Sequence, residues 1–408
     1  MNAPVVINAT NIGRYPDGIG VYVLNLLREL TQLETDLRFI VYCNRASAPH
    51  VRPIRFPGNC ELRWVTAALS PDHGFPGHLL RLLYSQLLGL RHRRSTIFIT
   101  GQLEAVLWRR NQIITVHDII PLLFPRLHRK QYLYFRYLLA HVVHRAHWII
   151  TPSYHTRDLL IRHYGVPGSA VRVIHHGARE YPPAQSAHGD DAGAGEFILF
   201  SGRIAPMKNL AALLEAFARL KGRIPHRLIV TGYCRGGALS ASPDLRRVQS
   251  LLDPGRVEYR GYVSDEELGR LLRGASLLAF PSLYEGFGLP PLEGMAHGCP
   301  VLVSNVSSLR EVCGDAACYV DPTDVASIAD GVYRVLTDEG IRRELSVRGR
   351  ARARRFRWSE SAMDHLRLFH HAVRSMNAAQ GTSAHWMFRG RLAVSGHLRS
   401  GSGSEAPR

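Results

Sequence analysis

Short apolar runs alternate with stretches of helical period along most of the chain, and glycine, proline or small polar residues close most runs. In the first half these runs predict strands near Val5–Asn8, Leu37–Tyr42, Glu61–Val65, Ile97–Thr100, Gln112–Val116, Trp148–Thr151 and Val171–Ile174. A second series is predicted at Phe197–Ser201, Arg227–Thr231, Val257–Tyr259, Ser276–Phe280, Pro300–Ser304 and Cys318–Val320. Helical patterns lie between them, as at Val21–Leu30 and Leu210–Leu220, the second with Asn209 placed to cap it. Strands alternating with helices argue α/β architecture with parallel sheets. The two series imply a first domain over 1–178 and a second over 196–357. A segment rich in proline, glycine and small polar residues (179–195) links them. Trp358–Val373 reads as an amphipathic helix within 358–375, and from 376 to 408 the loss of periodicity predicts a disordered tail. No repeat of fixed period is present.

At 408 residues, 46% of them hydrophobic and 21% charged, the chain can bury two full cores. No apolar run reaches the ~18 residues that suggest a membrane span. The start, Met1-Asn2-Ala3-Pro4-Val5-Val6-Ile7, lacks the pattern of a signal peptide. Cys43, Cys60, Cys234, Cys299, Cys313 and Cys318 are scattered without metal-ligand spacing. A reducing cytoplasm is the expected location, with most of the thiols acting as small buried hydrophobes.

The formal charge of +18 changes this picture. Residues 1–183 hold 22 Lys+Arg against 10 Asp+Glu, so the first half carries most of the surplus. Basic stretches there, Leu79-Leu80-Arg81-Leu82-Leu83 through Arg94 and Arg126 through Tyr137, have two readings. They suit adsorption to an anionic membrane leaflet, or they are solvated basic faces with core leucines behind. Nucleic acid is the weaker alternative, because no binding motif accompanies the charge.

Candidate chemistry is concentrated at strand-to-helix loops. Glu285 and Glu293 bracket Gly286-Phe287-Gly288-Leu289-Pro290-Pro291-Leu292, which follows the apolar run Leu277–Phe280. The glycines and prolines forbid one continuous helix between the carboxylates, so the next helix is expected to start near Pro290 or Pro291. A glycine loop entering a helix attracts an anion, and a carboxylate accepts hydrogen bonds from sugar hydroxyls. Arg203 and Lys208 lie on the loop after Phe197–Ser201, a position for cations that hold a diphosphate. His117 and Asp118 end the buried run Ile113–Val116. Near the start, Gly13-Arg14-Tyr15-Pro16-Asp17-Gly18-Ile19-Gly20 joins a strand to a helix, and its glycines permit close approach to a ligand.

Glu285–Glu293 resembles the paired-glutamate motif of retaining GT-B glycosyltransferases of family 4. Phe280-Pro281-Ser282-Leu283-Tyr284 upstream and Cys299–Ser304 and Leu309-Arg310-Glu311-Val312 downstream agree with it. The resemblance spans roughly residues 5 to 370 and is most specific at 280–322. It implies two Rossmann-like domains facing a cleft, with the late helix crossing back to the first domain. It also implies roles. Glu285 approaches the donor sugar, and Glu293 binds the ribose hydroxyls. Arg203 and Lys208 hold the pyrophosphate, together with the amides of Gly286, Phe287, Gly288 and Leu289. Tyr262 and Val263 belong to the loop that receives the base, and Arg14, Gly18 and Gly20 to an acceptor-side loop. His117 is a cleft residue bonding the donor sugar or acceptor, or else a structural histidine; Asp118 is secondary. Arg14 is either an acceptor-phosphate contact or a plain surface arginine.

The resemblance further implies that Arg203 and Lys208 stand in place of a metal ion, and the chain has no Asp-x-Asp triplet, so no metal or other cofactor is expected. The closest likeness, to O-antigen and exopolysaccharide mannosyltransferases, makes GDP-mannose the favoured donor. A lipid-linked glycan is then the acceptor, at the inner face of the cytoplasmic membrane. A nucleotide-sugar epimerase of the same fold and a non-catalytic polyanion binder are the alternatives.

Overall fold

The computed structural model describes residues 3–181, 196–234 and 255–394, with side chains to 377 in the last stretch. Within it thirteen strands form two parallel sheets, at the places the apolar runs predict and with ends shifted by two residues at most. The first sheet holds β1 (Val5–Asn8), β2 (Phe39–Asn44), β3 (Cys60–Val65), β4 (Thr96–Ile99), β5 (Gln112–Thr115), β6 (Trp148–Thr151) and β7 (Val171–Val173). Their order is β3-β2-β1-β4-β5-β6-β7. The second holds β8 (Phe197–Ser201), β9 (Arg227–Thr231), β10 (Val257–Gly261), β11 (Leu277–Phe280), β12 (Val301–Ser304) and β13 (Cys318–Val320), in the order β10-β9-β8-β11-β12-β13. The central strands are wholly buried, as their continuous Val, Ile, Leu and Phe content requires when helices cover both faces.

In each sheet the chain reverses its winding beside the first strand, between β1 and β4 and between β8 and β11. Such a switch point opens a crevice at the carboxyl ends of the strands, where ligands bind in open α/β sheets. The loops after β1, β5, β8 and β11 are the ones that carry Arg14–Gly20, His117–Asp118, Arg203–Lys208 and Glu285–Leu289. This is the GT-B architecture.

The domains are stitched by side chains of both. The Glu311 carboxylate accepts the Tyr154 and His155 amides (2.9 and 3.1 Å), at the positive N-terminus of the helix Tyr154–Tyr164. It also meets His175 Nε2 at 2.8 Å. From Trp358 the last helix returns to the first domain, where His365 Nε2 pairs with the Tyr22 hydroxyl at 2.8 Å and Phe369 packs on Phe39 and Phe98. Gly177 is where the two crossings touch: a Cβ there would stand 2.2 Å from the Trp358 nitrogen.

Two expectations need correction. The last helix does not stop near 375 but runs to Val394, through Ala-, Gln- and Arg-containing sequence with no proline to end it; residues 395–408 of the expected tail lie outside the described residues. Most of the expected linker, 182–195, lies outside them too. Asn209 occupies the N-cap position in a left-handed conformation (φ 57°), but its side chain does not cap the helix Leu210–Arg219. Its Nδ2 donates instead to the carbonyls of Pro281 and Pro322, at 3.0 and 2.8 Å, tying the loop after β8 to those after β11 and β13. In the basic stretch 79–90 the leucines divide: Leu88 is core, whereas Leu79, Leu80, Leu83, Leu87 and Leu90 face outward. Among the described residues no helix is long and apolar enough to cross a membrane.

Candidate active site

The loops at the two switch points face each other across a cleft of about 1230 Å³. On the second-domain wall, β11 runs into Pro281 and then the glycine loop. The helix that follows spans Leu289–Ala296, one residue before the expected start, with Gly288 at φ 110° as its N-cap. Pro290 and Pro291 have no N–H, so the first helical turn is poor in donors. The open donors lie one step earlier. Among the described residues, the amides of Gly286, Phe287, Gly288 and Leu289 have no protein acceptor. The Glu285 amide, by contrast, is held by Ser307 Oγ at 3.0 Å, and Ser308 Oγ donates to the carbonyls of Glu285 and Phe287. The loop is therefore braced through its carbonyls while four N–H groups stay available, which suits an anion.

Lys208 approaches this loop from the second strand-to-helix turn. Its Nζ lies 2.6 Å from Glu285 Oε1 and 5.1 Å from the Phe280 ring centroid. Glu285 is almost buried. Arg203, 60% exposed, reaches instead towards the first domain, with Nη1 4.0 Å from Asp17 Oδ2. The two cations thus approach different carboxylates, Lys208 that of Glu285 in its own domain and Arg203 that of Asp17 in the first. Glu293 is buried on the first turns of the helix, and its Oε1 accepts from Arg179 Nε at 2.7 Å. Arg179 also meets Asp265 at 3.3 Å and covers the Tyr181 ring at 4.8 Å. Tyr262 and Val263 line the cleft next to Asp265.

The first domain supplies the other wall. The His117 carbonyl comes so close to Gly286 that a Cβ there would stand 2.2 Å away. Ser153 Oγ donates to the Gly286 carbonyl at 2.8 Å, so the glutamate loop is clamped from the opposite domain. His117 is buried, its Nε2 2.9 Å from the Thr100 carbonyl. That partner accepts only, so the ring carries its proton on Nε2. Burial lowers its pKa to about 4, which keeps it neutral near pH 7. Asp118 is pushed up to about 6, first by burial and then by the Glu285 carboxylate, although Lys208 and the Ile120 amide oppose the rise. Arg14 and Gly18 line the cleft mouth. Nothing lies within 4 Å of where a Gly18 Cβ would be. Gly20 turns away into the helix Gly18–Leu30, packed on Pro16, and is not part of the cleft wall.

Sequence reasoning missed two residues of this site. Arg179 falls at the first position of the expected linker, and nothing in its local pattern points across 114 positions to Glu293. His176 also lines the cleft, stacked on Trp358 (centroids 5.5 Å apart) and 4.9 Å from Phe287. The pair His175-His176 was its only signal, and a pair of histidines names no partner.

A family model for group 1 glycosyl transferases matches residues 186–352, and one for glycosyltransferase family 4 matches 16–179. The chain belongs to the group 1 (family 4) glycosyltransferases. O-antigen chain mannosyltransferase B of Escherichia coli is 35% identical over 257 residues, 60% of this chain and 66% of that protein. The chain thus matches just under two thirds of that relative's length. O-antigen chain mannosyltransferase RfbU of Salmonella typhimurium is 28% identical over 81% of this chain and 90% of its own. Among solved structures, sucrose-phosphate synthase from Thermosynechococcus elongatus superposes with a TM-score of 0.73, covering 92% of this chain and 99% of that one at 20% identity. At that identity the likeness concerns the fold alone.

Proposed function

We propose that the protein is a retaining, metal-independent hexosyltransferase. It moves mannose from GDP-mannose onto a lipid-linked glycan of the O-antigen or exopolysaccharide type, at the inner face of the cytoplasmic membrane. The observation that carries this reading is the Lys208 ammonium held against Glu285 beside four open amides, facing a neutral His117. The donor diphosphate takes the amides of Gly286–Leu289 and the charges of Lys208 and Arg203, which offset the negative charge that grows on the leaving group. Glu293, held by Arg179, accepts from the ribose hydroxyls. Tyr262 and Val263 border the base.

As the diphosphate engages Lys208, the Glu285 carboxylate is released towards the donor sugar. His117 offers a neutral ring to a sugar or acceptor hydroxyl. In same-face transfer the acceptor oxygen forms the new bond to the anomeric carbon as the bond to the diphosphate breaks. The acceptor proton passes to a leaving phosphate oxygen, so no protein nucleophile is needed. Mannose and the O-antigen pathway come from the two mannosyltransferase relatives.

The test is product analysis with GDP-mannose and a lipid-linked acceptor, with and without EDTA. Transfer with retained anomeric configuration and no loss on chelation is expected. Turnover that vanishes with EDTA and returns with magnesium or manganese overturns the diphosphate chemistry. An epimerised nucleotide sugar formed without acceptor overturns the transferase reading altogether.

A further inference from the structure

The helix Gly74–Arg91 is built inside out. Its buried residues are Gly77, Arg81, Ser85, Leu88 and Gly89, while Leu79, Leu80, Leu83, Leu87 and Leu90 are between 44% and 63% exposed. At about 100° per residue the five leucines fall within an arc of roughly 100° on the side away from the protein. This rotation is held by specific contacts. Arg81 Nε donates to the buried Glu104 at 2.9 Å and its Nη1 to the Leu69 carbonyl at 3.0 Å. Ser85 Oγ accepts from Asn8 Nδ2 at 3.0 Å, and a Cβ on Gly89 would stand 2.7 Å from Val106. Turning the leucines inward would break the Arg81–Glu104 pair and leave its charges without partners, so the exposed stripe is a designed surface rather than loose packing.

A second segment extends that surface. Leu127, Leu133 and Tyr137 are 53%, 62% and 65% exposed, and Lys130 Nζ lies 5.8 Å from the ring of exposed Phe75 at the start of the inverted helix. The stretches 73–103 and 119–157 contain no Asp or Glu at all. Arg91, Arg93 and Arg94 end one segment and Arg129, Lys130 and Arg136 stand on the other, all exposed. Phe75, His78, Leu127 and Lys130 also line the cleft. The apolar, cationic face and the first-domain wall of the cleft are one continuous surface.

We propose that this face seats the protein on an anionic phospholipid bilayer, with the leucine stripe in the headgroup–acyl boundary and the arginines on lipid phosphates. A second copy of the chain is the poorer occupant. Two such faces would set their cations against each other with no carboxylate from these stretches between them, whereas a bilayer supplies the missing anions. The geometry brings the cleft mouth to the lipid surface, so a tethered acceptor can reach His117 and Glu285 without leaving the membrane. That last consequence rests on the function proposed above; the docking itself does not.

The test is co-sedimentation of the full chain with vesicles of phosphatidylglycerol and phosphatidylcholine, and of phosphatidylcholine alone. Binding to the anionic vesicles is expected. It should fall by roughly tenfold or more in Leu83→Glu/Leu87→Glu, and should drop with added salt and in Arg93→Gln/Arg94→Gln. Thermal unfolding and protection by GDP-mannose should be unchanged in these variants, because the altered side chains are exposed and outside the cleft. No binding by the unaltered chain, or equal binding by the leucine variant, overturns the proposal. So does a dimer in sedimentation velocity that the leucine variant abolishes while anionic vesicles leave it intact. Vesicle binding without protection by any nucleotide sugar would leave this face standing and sink the proposed function instead.

Discussion

The Lys208 ammonium stands 2.6 Å from the Glu285 carboxylate, so the two charges expected to face the donor are paired with each other. A diphosphate must compete with Glu285 for that cation, and its arrival frees the carboxylate beside the donor sugar. Lys208→Ala removes a charge-assisted contact of about 1.5–3 kcal/mol. GDP-mannose affinity measured by calorimetry should therefore fall about 10- to 100-fold. Lys208→Arg should keep part of it. Unchanged titrations would show that the diphosphate does not meet this side chain.

Arg179 and Glu293 form a second pair, buried more deeply. Arg179→Ala leaves the Glu293 carboxylate without its cation at 2.7 Å, so a loss of about 3 kcal/mol in chemical denaturation is expected. Glu293→Gln keeps the volume and should cost less stability. Its donor affinity should nevertheless fall, because a ribose hydroxyl loses its charged acceptor. Equal affinity in Glu293→Gln and the unaltered chain would remove Glu293 from the ribose site.

Two glycines of the cleft should respond in opposite ways. Gly286→Ala sets a methyl group 2.2 Å from the His117 carbonyl, which can be relieved only by parting the domains. Destabilisation of about 1–3 kcal/mol and severe loss of turnover are expected, read by thermal unfolding and transfer assay. Gly18→Ala meets nothing within 4 Å and should keep stability within about 0.5 kcal/mol. Any fall in its activity would then report contact with the acceptor.

The buried histidines make stability sensitive to acid. His117 and His365 are held near pKa 4 by burial, and His176 lies well below its usual value for the same reason. Below about pH 6.5 the unfolded chain takes up protons that these rings refuse, so stability is lost progressively towards pH 4. For His117 and His365 the effect is on the order of 3 kcal/mol per ring at most. Asp118, raised to about 6, works the other way and offsets part of it. Denaturation midpoints between pH 7 and pH 4.5 should fall, and His365→Gln should flatten the curve.

Asp118 has its own signature in binding. Above pH 6 its carboxylate adds a negative charge to a cleft that receives a diphosphate; as pH falls through about 6 that charge is lost. GDP-mannose affinity should rise between pH 7.5 and 5.5, and Asp118→Asn should bind as tightly at pH 7.5 as the unaltered chain does at 5.5. A pH-independent affinity would show that Asp118 does not face the donor.

The strands and the glutamate loop were legible because their signals are local. A buried parallel strand is a continuous apolar run, and a strand, glycine loop and proline-led helix announce themselves within fifteen residues or so. The positions of Glu285, Glu293, Lys208 and His117 at the ends of such runs followed from the same pattern. Periodicity carried less for the stretch 79–90, where leucines and arginines repeat with helical spacing whichever side faces the protein. Only the Arg81–Glu104 and Ser85–Asn8 contacts decide that the leucines point outward. Asn209 shows the same limit, since a capping residue can equally well bond two distant carbonyls.

Composition and local pattern thus determined the two parallel-sheet domains, the loops that bear the chemistry and the excess of cations in the first half. Tertiary structure alone decided the partners: Lys208 with Glu285, Arg179 with Glu293, Gly286 against the His117 carbonyl, and the outward turn of an apolar helix face. The division has a physical cause. Backbone geometry and burial act between near neighbours in the chain, whereas charge pairing and close packing act between groups brought together across tens to hundreds of positions by the folding of both domains.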